Sequence, residues 1–457
     1  MKKNNFYSIF LTLCIGFLSG NVHSQCNPAG NGTNGGIRCM FNDSVHNCLY
    51  IGGGFQNSDT VTLNNCGYWN GSGYLPMSMM GFVGCNDSVL CFTYFNDDLY
   101  VGGNFTQAGG VPCNHLARWD GTSWEAVGDG FNQPVHALAV YNNDLYAGGD
   151  FTLSGTESVN HLGKWNGSQW IQVSTGIDDD VEALCVYNNT LYVGGDFIMA
   201  GGSMVNHICR WDGTTISGVG SGFTGGMMGQ VMVHSFCVYN GSLYAGGMFE
   251  HSGSVDMHNL AMWNGTEWSS IGDIGGAMMG QNVVSALCAY NGELFCGGNF
   301  GSCGSMSANN LGKWNGTSWS NIGTGMDGSV FSLAVYQNIL YIAGSFSSAA
   351  GTPVNNIAEY ASTTGIQSVQ ASYIKLTIFP NPAGDIIQVR WVSEKSSQVD
   401  LIVSDVNGRM VFEKKSEVIS PGIHQEDIPV ITLNNGIYLL TLRTGDKNYS
   451  SKFEIAR

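Results

Sequence analysis

The sequence predicts an all-β protein, with a seven-bladed β-propeller followed by a small C-terminal Ig-like β-sandwich. Three observations lead to this prediction. A short phrase, represented by LYVGGNF from Leu99, occurs seven times at intervals of 46 to 52 residues. Each repeat contains four runs typical of short strands, and strand-built repeats of this length are typical of propellers. The 65 glycines among 457 residues follow no collagen-like period, which indicates many turns and few helices.

The repeat that begins at Val135 shows the four runs clearly. VHALAVY and DLYAGGDF come first, and Asn142 and Asn143 between them predict a tight hairpin turn. HLGKW and QWIQV follow, separated by Asn166 and Gly167, for which we expect positive φ at both residues. We expect the glycine pair of each repeat to keep the backbone thin where neighbouring blades crowd the axis.

The last repeat predicts how the ring closes. It runs into NNIAEYASTTGIQSV and has no counterpart of the fourth run, whereas the segment near residues 25–30 aligns with the end of a fourth run. We therefore expect this N-terminal segment to supply the outer strand of the seventh blade, because an open strand edge would otherwise remain.

Residues 1–24 have the layout of a secretory signal peptide, with two lysines, an apolar run and a polar end. No later segment approaches the roughly 18 apolar residues of a membrane span. We assign 25–365 to the propeller, 366–372 to a linker and 373–457 to a C-terminal domain. Cys26 to Cys303 span 13 cysteines, and a disulfide or two could form among them in an oxidising compartment.

The repeats resemble those of kelch-like propellers, and more closely the cortical cell-polarity-marker type found in secreted and surface proteins. The resemblance rests on the pattern of Leu-Tyr, Gly-Gly, Phe, Asn and Trp positions between residues 30 and 362. It supports the fold and says little about function, because one fold serves many functions.

The tail resembles the type A C-terminal sorting domain of the type IX (Por) secretion system of Bacteroidetes. The motifs FPNPAGDIIQV, SDVNGRMV, NNGIYLLTL and KFEIAR occur in that order. The residues that carry the resemblance are Pro380, Asn381, Pro382, Asn407, Gly408, Gly436, Tyr438 and Lys452. The resemblance implies the secretion machinery as a partner, transport across the outer membrane, and often tail cleavage and attachment to surface lipopolysaccharide.

The charge balance excludes nucleic acid as a partner. Lys and Arg number 17 and Asp and Glu 34, and outside the signal lysines and the tail the counts are five and 24. Nothing is then left to neutralise phosphates. Four of the five basic residues are expected to pair with local carboxylates; they are Arg118, Lys164, Arg210 and Lys313.

No metal or cofactor is predicted. His115, His161 and His207 share a repeat position that is Asn in the other repeats, which favours a hydrogen-bonding role over a metal site. No nucleophile elbow, phosphate loop or zinc motif occurs.

Two features on one propeller face are candidate binding sites. Three of the longer connections between blades carry a Met-Met-Gly insertion, and insertions on one face of a repeat protein often mark where it binds. The methionines are Met79, Met80, Met227, Met228, Met278 and Met279. They could instead cap the channel mouth or, as thioethers, hold copper(I). The second feature is the loop Asp178, Asp179 and Asp180, which could instead be a solvated acidic turn or a calcium site.

We expect a non-enzymatic propeller that binds a protein or glycan at the cell surface or outside the cell. The alternatives are an enzyme acting on polysaccharide, with two carboxylates meeting at the axis, and a structural surface component without a discrete ligand. An enzyme should carry carboxylate, His or Tyr residues that depart from the repeat on one face. The aspartate loop is the only such departure that we expect.

Truncation after Gly365 should leave a folded propeller that accumulates in the periplasm, because the sorting signal is lost with the tail. Fractionation and immunoblotting of cells expressing the truncated and complete chains measure this. Secretion of the truncated chain at the normal level would contradict the sorting interpretation.

Overall fold

The computed structural model describes residues 26–226, 229–276 and 282–360, and in the tail 377–379, 383, 386–393, 397–405, 409–419, 422–444 and 447–455. The chain divides into two compact units, one ending at Thr363 and the other beginning at Thr364. The described residues contain no α-helix, and the all-β class is confirmed. The predicted signal peptide and linker lie outside the described residues.

The first unit contains seven four-stranded antiparallel sheets, counted over its described residues. The innermost strand of each sheet contacts that of the next sheet, and the seventh contacts the first. We number these sheets as blades 1 to 7 in chain order. The repeat therefore forms one blade, and the blades form a closed ring.

The strand bounds repeat from blade to blade. The innermost strands are Ile37–Asp43, Val89–Phe95, Val135–Tyr141, Val181–Tyr187, Met232–Tyr239, Val283–Tyr290 and Ser329–Tyr336. The second strands are Cys48–Gly53, Asp98–Gly103, Asp144–Gly149, Thr190–Gly195, Ser242–Met248, Glu293–Asn299 and Ile339–Ser345. The third strands are Cys66–Trp69, Leu116–Trp119, Leu162–Trp165, Ile208–Trp211, Leu260–Trp263, Leu311–Trp314 and Ile357–Tyr360. The outer strands are Tyr74–Pro76, Trp124–Ala126, Trp170–Gln172, Ile216–Gly218, Trp268–Ser270, Trp319–Asn321 and, for blade 7, Cys26–Pro28.

Two-residue strands form small hairpins between the second and third strands of every blade. They are Asn57–Ser58 with Val61–Thr62, Gln107–Ala108 with Val111–Pro112, Leu153–Ser154 with Glu157–Ser158, Met199–Ala200 with Ser203–Met204, His251–Ser252 with Val255–Asp256, Ser302–Cys303 with Met306–Ser307, and Ser348–Ala349 with Thr352–Pro353. Ile274–Gly275 adds a third strand beside Ser302–Cys303, and Ser78–Met79 pairs with Phe82–Val83.

The N-terminal segment closes the ring as expected. Cys26–Pro28 pairs antiparallel with the third strand of blade 7, so that Cys26 lies opposite Tyr360. The Asn356 side chain donates a hydrogen bond to the Thr33 carbonyl oxygen at 2.7 Å. Tyr74 of blade 1 donates to the Ala29 carbonyl oxygen at 2.8 Å, which ties the same segment to the neighbouring blade.

The glycine pair of the second strand makes room in two directions. A Cβ atom at Gly194 would lie 2.5 Å from Cγ1 of Val233, the first buried valine of the next blade. A Cβ atom at Gly195 would overlap the carbonyl oxygen of Asp180, which immediately precedes the innermost strand of the same blade. Both contacts recur around most of the ring, and they confirm that the glycines keep the inner backbone thin.

The turn predicted between the first and second strands is confirmed, but the one predicted between the third and outer strands is not. Asn142 and Asn143 have φ of 50° and 61°, as a hairpin turn with two left-handed residues requires. Between the third and outer strands, however, Gly167 has positive φ and Asn166 is absent from the left-handed residues. The prediction for Asn166 was therefore wrong. Its side-chain oxygen accepts hydrogen bonds from the N–H groups of Ser168 and Gln169, both at 2.9 Å, and this stabilises a longer loop.

In the second unit, two antiparallel sheets contribute to one hydrophobic core. One consists of Thr377–Phe379, Ile386–Ser393 and Gly422–Pro429, and the other of Met410–Ile419, Ser397–Asp405, Gly436–Thr444 and Lys447–Ile455. Ile387 and Trp391 of the first sheet and Leu401 and Leu440 of the second are buried together. An Ig-like arrangement of this tail stays a prediction.

Replacement of Gly194 by Ala should lower the free energy of unfolding by about 1 to 3 kcal/mol, because the methyl group overlaps Val233. Gly73→Ala is the matched control, since a Cβ there meets nothing within 4 Å. Urea unfolding of both variants measures the difference. Equal stabilities of the two variants would contradict the close-contact argument.

Deletion of residues 25–34 should lower the melting temperature, because blade 7 loses its outer strand and exposes the edge at Ile357–Tyr360. Differential scanning calorimetry against the intact mature chain measures the shift. An unchanged melting temperature would show that the ring does not depend on this strand.

Candidate functional site

Every innermost strand carries a β-bulge one residue after its first buried Val or Ile. In blade 3, Val135 lies opposite Gly149 and Ala137 lies opposite Gly148, so that His136 between them has no partner residue. The same register shift occurs in the other six blades. A bulge re-aims the side chain of the extra residue. The seven extra residues are Arg38, Leu90, His136, Glu182, His234, Ser285 and Phe331.

These seven side chains all line one cavity of about 680 Å³. Because innermost strands from all seven blades contribute to the lining, the cavity occupies the central channel. The bulge lies at the beginning of the innermost strand, where the connections from the preceding blade arrive. We call this end of the channel the channel mouth.

One side of the channel mouth is rich in histidine and carboxylate groups. His136 Nε2 lies 2.6 Å from Asp150 Oδ1, and His136 Nδ1 lies 3.6 Å from Glu182 Oε2. His234 Nδ1 lies 4.0 Å from the same Glu182 oxygen. Asp180 lies close by, with its Oδ1 3.5 Å from His161 Nδ1. Blades 3, 4 and 5 thus bring six ionisable groups close together: His136, Asp150, His161, Asp180, Glu182 and His234.

Burial and neighbouring charges shift the pKa values of these groups. Burial raises the pKa of Glu182, and the nearby Asp150 and Asp180 raise it further, against the opposing effect of His136. Burial lowers the pKa of His136, but Asp150 and Glu182 outweigh this effect and the net pKa is raised. Burial, with a smaller contribution from His136, lowers the pKa of His234 to about 4. His234 is therefore neutral at pH 7, while His136 is stabilised in its charged form.

The opposite side of the channel mouth is cationic and apolar. The Arg38 guanidinium lies 4.1 Å from the centre of the Phe331 ring, within the range of a cation–π contact. Leu90 and Ser285 line the cavity between the two sides. Arg38 is the fifth basic residue of the propeller, and it faces the channel rather than a strand partner on its own blade.

The structure places the predicted methionine site only in part. Met79 packs beside the core of blades 1 and 2, where the Trp124 N–H contacts its Sδ at 3.3 Å. Met80 is 93% exposed. Met227, Met228, Met278 and Met279 lie outside the described residues. Met79 and Met80 are not among the residues that line the cavity.

The aspartate loop divides into two parts. Asp178 Oδ1 accepts hydrogen bonds from the N–H groups of Ile198 and Met199 at 3.1 and 2.8 Å. Asn132 does the same in blade 3, so Asp178 has a structural role in holding two connections together. Asp179 and Asp180 do not share this role. Burial raises the pKa of Asp180, which lies next to the channel-mouth residue Glu182.

Two of the three register histidines contact a backbone carbonyl oxygen of their own blade. His115 and His161 approach the carbonyl oxygens of Gly103 and Gly149 at 3.2 and 3.1 Å. All three have φ near 70°, as do the Asn residues of the other blades, and Asn and His tolerate this left-handed conformation.

Three of the four strand-borne basic residues form the predicted ion pairs. Lys164 lies 2.5 Å from Asp144, Lys313 lies 2.8 Å from Glu293, and Arg118 lies 3.0 Å from Asp98. For Arg210 the structure instead shows a hydrogen bond to the Ser217 hydroxyl at 3.1 Å. No disulfide bond joins the described cysteines, and the sulfur atoms of Cys66 and Cys85 lie 3.8 Å apart.

Of the predicted sorting residues, Gly436, Tyr438 and Lys452 are described. Gly436 and Tyr438 lie on the strand Gly436–Thr444, and Lys452 lies opposite Leu439 on the neighbouring strand. The Tyr438 hydroxyl donates a hydrogen bond to the Asn434 carbonyl oxygen at 3.0 Å. Pro380, Asn381, Pro382, Asn407 and Gly408 lie outside the described residues.

Sequence reasoning missed the channel-mouth residues. The expectation that the aspartate loop is the only departure from the repeat on this face was wrong, because His136, Glu182 and His234 also depart from it. The signal was present at one repeat position, the residue after the first Val or Ile of each unit, which differs widely between blades. The alternation of apolar and polar residues does not predict a β-bulge, so there was no reason in the sequence to place this residue in the channel.

Comparison with known proteins supports both units. Residues 377–456 match the secretion system C-terminal sorting domain, and residues 84–189 match the Rax2 C-terminal beta propeller domain. A search of curated proteins gives no significant match.

Several solved structures are similar at low identity. PorZ, a bacterial surface component of the type IX secretion system of Porphyromonas gingivalis, is 12% identical with a TM-score of 0.38, covering 92% of this chain and 66% of PorZ. The GH74 enzyme of Niastella koreensis is 11% identical with a TM-score of 0.40, covering 93% and 74% of the two chains. An arabinoxylan arabinofuranohydrolase of family 43 from Bacillus subtilis is 12% identical with a TM-score of 0.24, covering 95% and 97%.

The described part of the chain contains no helix long and apolar enough to cross a membrane. The sorting domain is an address for export, and the first unit is a propeller. The chain is therefore a β-propeller protein that its type IX sorting tail directs to the cell surface or the exterior.

Proposed function

We propose that the propeller is a binding module and that its ligand, a glycan or a polar loop of another protein, binds at the channel mouth. The observation that carries this proposal is that the packing positions of the repeat are nearly constant, whereas the bulge position varies between blades. The flanking Val, Gly-Gly and Phe positions repeat almost unchanged, whereas the seven bulge residues differ and face one cavity. A scaffold that holds varied side chains around one cavity is suited to recognition.

The cavity has the size and lining of a small-ligand site. Its volume of about 680 Å³ falls within the range of roughly 300 to 1,000 Å³ that is usual for such sites. Arg38, Glu182 and Ser285 supply donors and acceptors, while Leu90 and Phe331 supply apolar surface. The excess of acidic residues in the propeller disfavours polyanions, so a neutral or cationic ligand suits the site.

The methionine connections are a second part of the proposed surface. We expect the three connections to lie on the same face as the channel mouth, and the Met80 side chain, which is exposed, is an adaptable contact surface. Asp179 and Asp180 add carboxylates to this face. A ligand larger than the cavity would contact these groups as well.

An enzyme acting on polysaccharide is the second candidate, and one observation favours it. Asp150 and Glu182 come from adjacent blades and place carboxylate oxygens within 4.8 Å of one another and of His136. Burial raises the pKa of Glu182, as a general acid requires. Glycosidases use such carboxylate pairs.

The proposal predicts that Arg38→Ser weakens ligand binding at least tenfold, because the variant removes the guanidinium group that lines the cavity. Binding of the purified mature chain to a glycan array, followed by calorimetric titration with the selected glycans, measures this. Arg210→Ser is the matched control, since it removes the same charge from the side of a blade. Met80→Ser reports separately on the methionine connections.

A parallel hydrolysis assay on the selected glycans separates the two candidates. Binding without turnover supports the binding module, and turnover that is lost in Glu182→Gln supports the enzyme. If Arg38→Ser and Arg210→Ser bind equally well, the ligand does not use the channel mouth. If the array and a parallel pull-down with surface proteins both give no binding, the structural role is favoured.

A further inference from the structure

Three adjacent blades place metal-binding atoms at one side of the channel mouth. His136, Glu182 and His234 are the bulge residues of blades 3, 4 and 5. The Glu182 carboxylate lies between the two imidazoles, with its Oε2 3.6 Å from His136 Nδ1 and 4.0 Å from His234 Nδ1. All three side chains are partly or largely buried, and each points into the same cavity.

The distance between His136 and Glu182 suits a small cation with short bonds, and the distance between His234 and Glu182 is slightly too long. Zinc bound to nitrogen and oxygen at about 2.0 to 2.2 Å in a tetrahedron keeps its ligand atoms about 3.3 to 3.6 Å apart. The separation of 3.6 Å falls at the upper end of this range, and the separation of 4.0 Å exceeds it slightly. His136, Asp150 and Glu182 offer ligand atoms within 4.8 Å of one another, and His234 is outside this group. Metal binding at the proposed site therefore requires the His234 side chain to rotate towards His136 and Glu182.

A second carboxylate is placed to orient the imidazole. Asp150 Oδ1 lies 2.6 Å from His136 Nε2, the ring nitrogen that faces away from Glu182. Metal-binding histidines usually contact a carboxylate through the nitrogen that does not bind the metal. Nε2 is buried, yet it has no partner at regular hydrogen-bond geometry. A metal on Nδ1 would fix the tautomer and direct the Nε2 proton towards Asp150.

We propose that His136 Nδ1, Glu182 Oε2 and His234 Nδ1 bind one divalent transition-metal ion of the Zn²⁺ class, with Asp150 as the positioning carboxylate. Two imidazoles and one carboxylate suit zinc and similar ions, whereas calcium and magnesium prefer oxygen ligands throughout. The acidic propeller attracts cations to the channel mouth. This site was not predicted from the sequence, and its test does not depend on the identity of the ligand proposed above.

The test uses a serine scan along the bulge position. Zinc chloride is titrated into metal-free mature chain by isothermal calorimetry, and one ion per chain is expected. His136→Ser, Glu182→Ser and His234→Ser should each weaken binding at least 100-fold, because each removes a ligand atom. Blade 6 has Ser285 at the equivalent position, so a blade accommodates serine there. Asp150→Asn should weaken binding about 10- to 100-fold, as loss of an orienting carboxylate does.

Two control variants identify binding elsewhere on the protein. Leu90→Ser makes the same change at the bulge of blade 2, and His115→Asn removes a histidine outside the channel mouth. Both should bind zinc like the parent chain. Cobalt absorption spectra of the parent chain should show the intense visible bands of a tetrahedral site.

The proposal is overturned if the parent chain binds no zinc, if the three serine variants bind it as tightly as the parent, or if the controls lose binding equally. Thermal melts establish that each variant is folded. Where a serine variant is unfolded, Glu182→Gln and His234→Asn replace it, because both keep a polar side chain while the first removes the carboxylate charge and the second removes the imidazole nitrogen. These results do not depend on whether the channel mouth binds a glycan or a protein.

Discussion

The ring depends on the close approach of each second strand to the first buried valine of the following blade. Gly246 and Val284 meet in this way, and so do Gly297 and Val330. No side chain fits between them, because interiors are packed too densely to accommodate an extra methyl group without displacement. This single contact sets the spacing of the innermost strands, and the diameter of the channel follows from it. Blade 7 is the variant, with buried Ala343 in the place of the first glycine.

A second contact joins neighbouring blades at the C-terminal end of the innermost strand. In blades 3 to 7, the last tyrosine of the innermost strand donates a hydrogen bond to a carbonyl oxygen in the first hairpin turn of the next blade. Tyr187 contacts Gly241 and Tyr239 contacts Gly292, both at 2.8 Å. Tyr336 of blade 7 contacts Asn47 of blade 1 at the same distance. Neighbouring blades are thus fixed at both ends of the innermost strand, so the bulge residues between these contacts can vary without loss of the fold.

The strands that repeat in every blade were predicted from the sequence, and the channel-mouth residues, which differ from blade to blade, were missed. The four runs of one unit, the hairpin at Asn142 and the closing strand near Cys26 all follow from turn residues and from counting strands. The prediction of a two-residue turn at Asn166 and Gly167 was wrong. Trp165 pairs with Trp170, so the loop between them has four residues, and this length overrides the preference of Asn-Gly for a two-residue turn. The channel-mouth residues were missed because the sequence analysis assumed regular strands, in which successive side chains point to opposite faces of the sheet. A bulge shifts this assignment by one position, and only the paired register reveals it.

The propeller can complete its fold only after its last repeat has been synthesised, because blade 7 takes its outer strand from the N-terminal segment. Thr33 and Asn356, which are joined by a hydrogen bond, are separated by 323 positions in the chain. Contacts between segments so distant in sequence require a large loss of chain entropy and slow the folding reaction. Until the seventh repeat is available, the first and last sheets both present free edges on which other chains can add strands. The propeller therefore has its greatest tendency to aggregate between synthesis of its first and last blades.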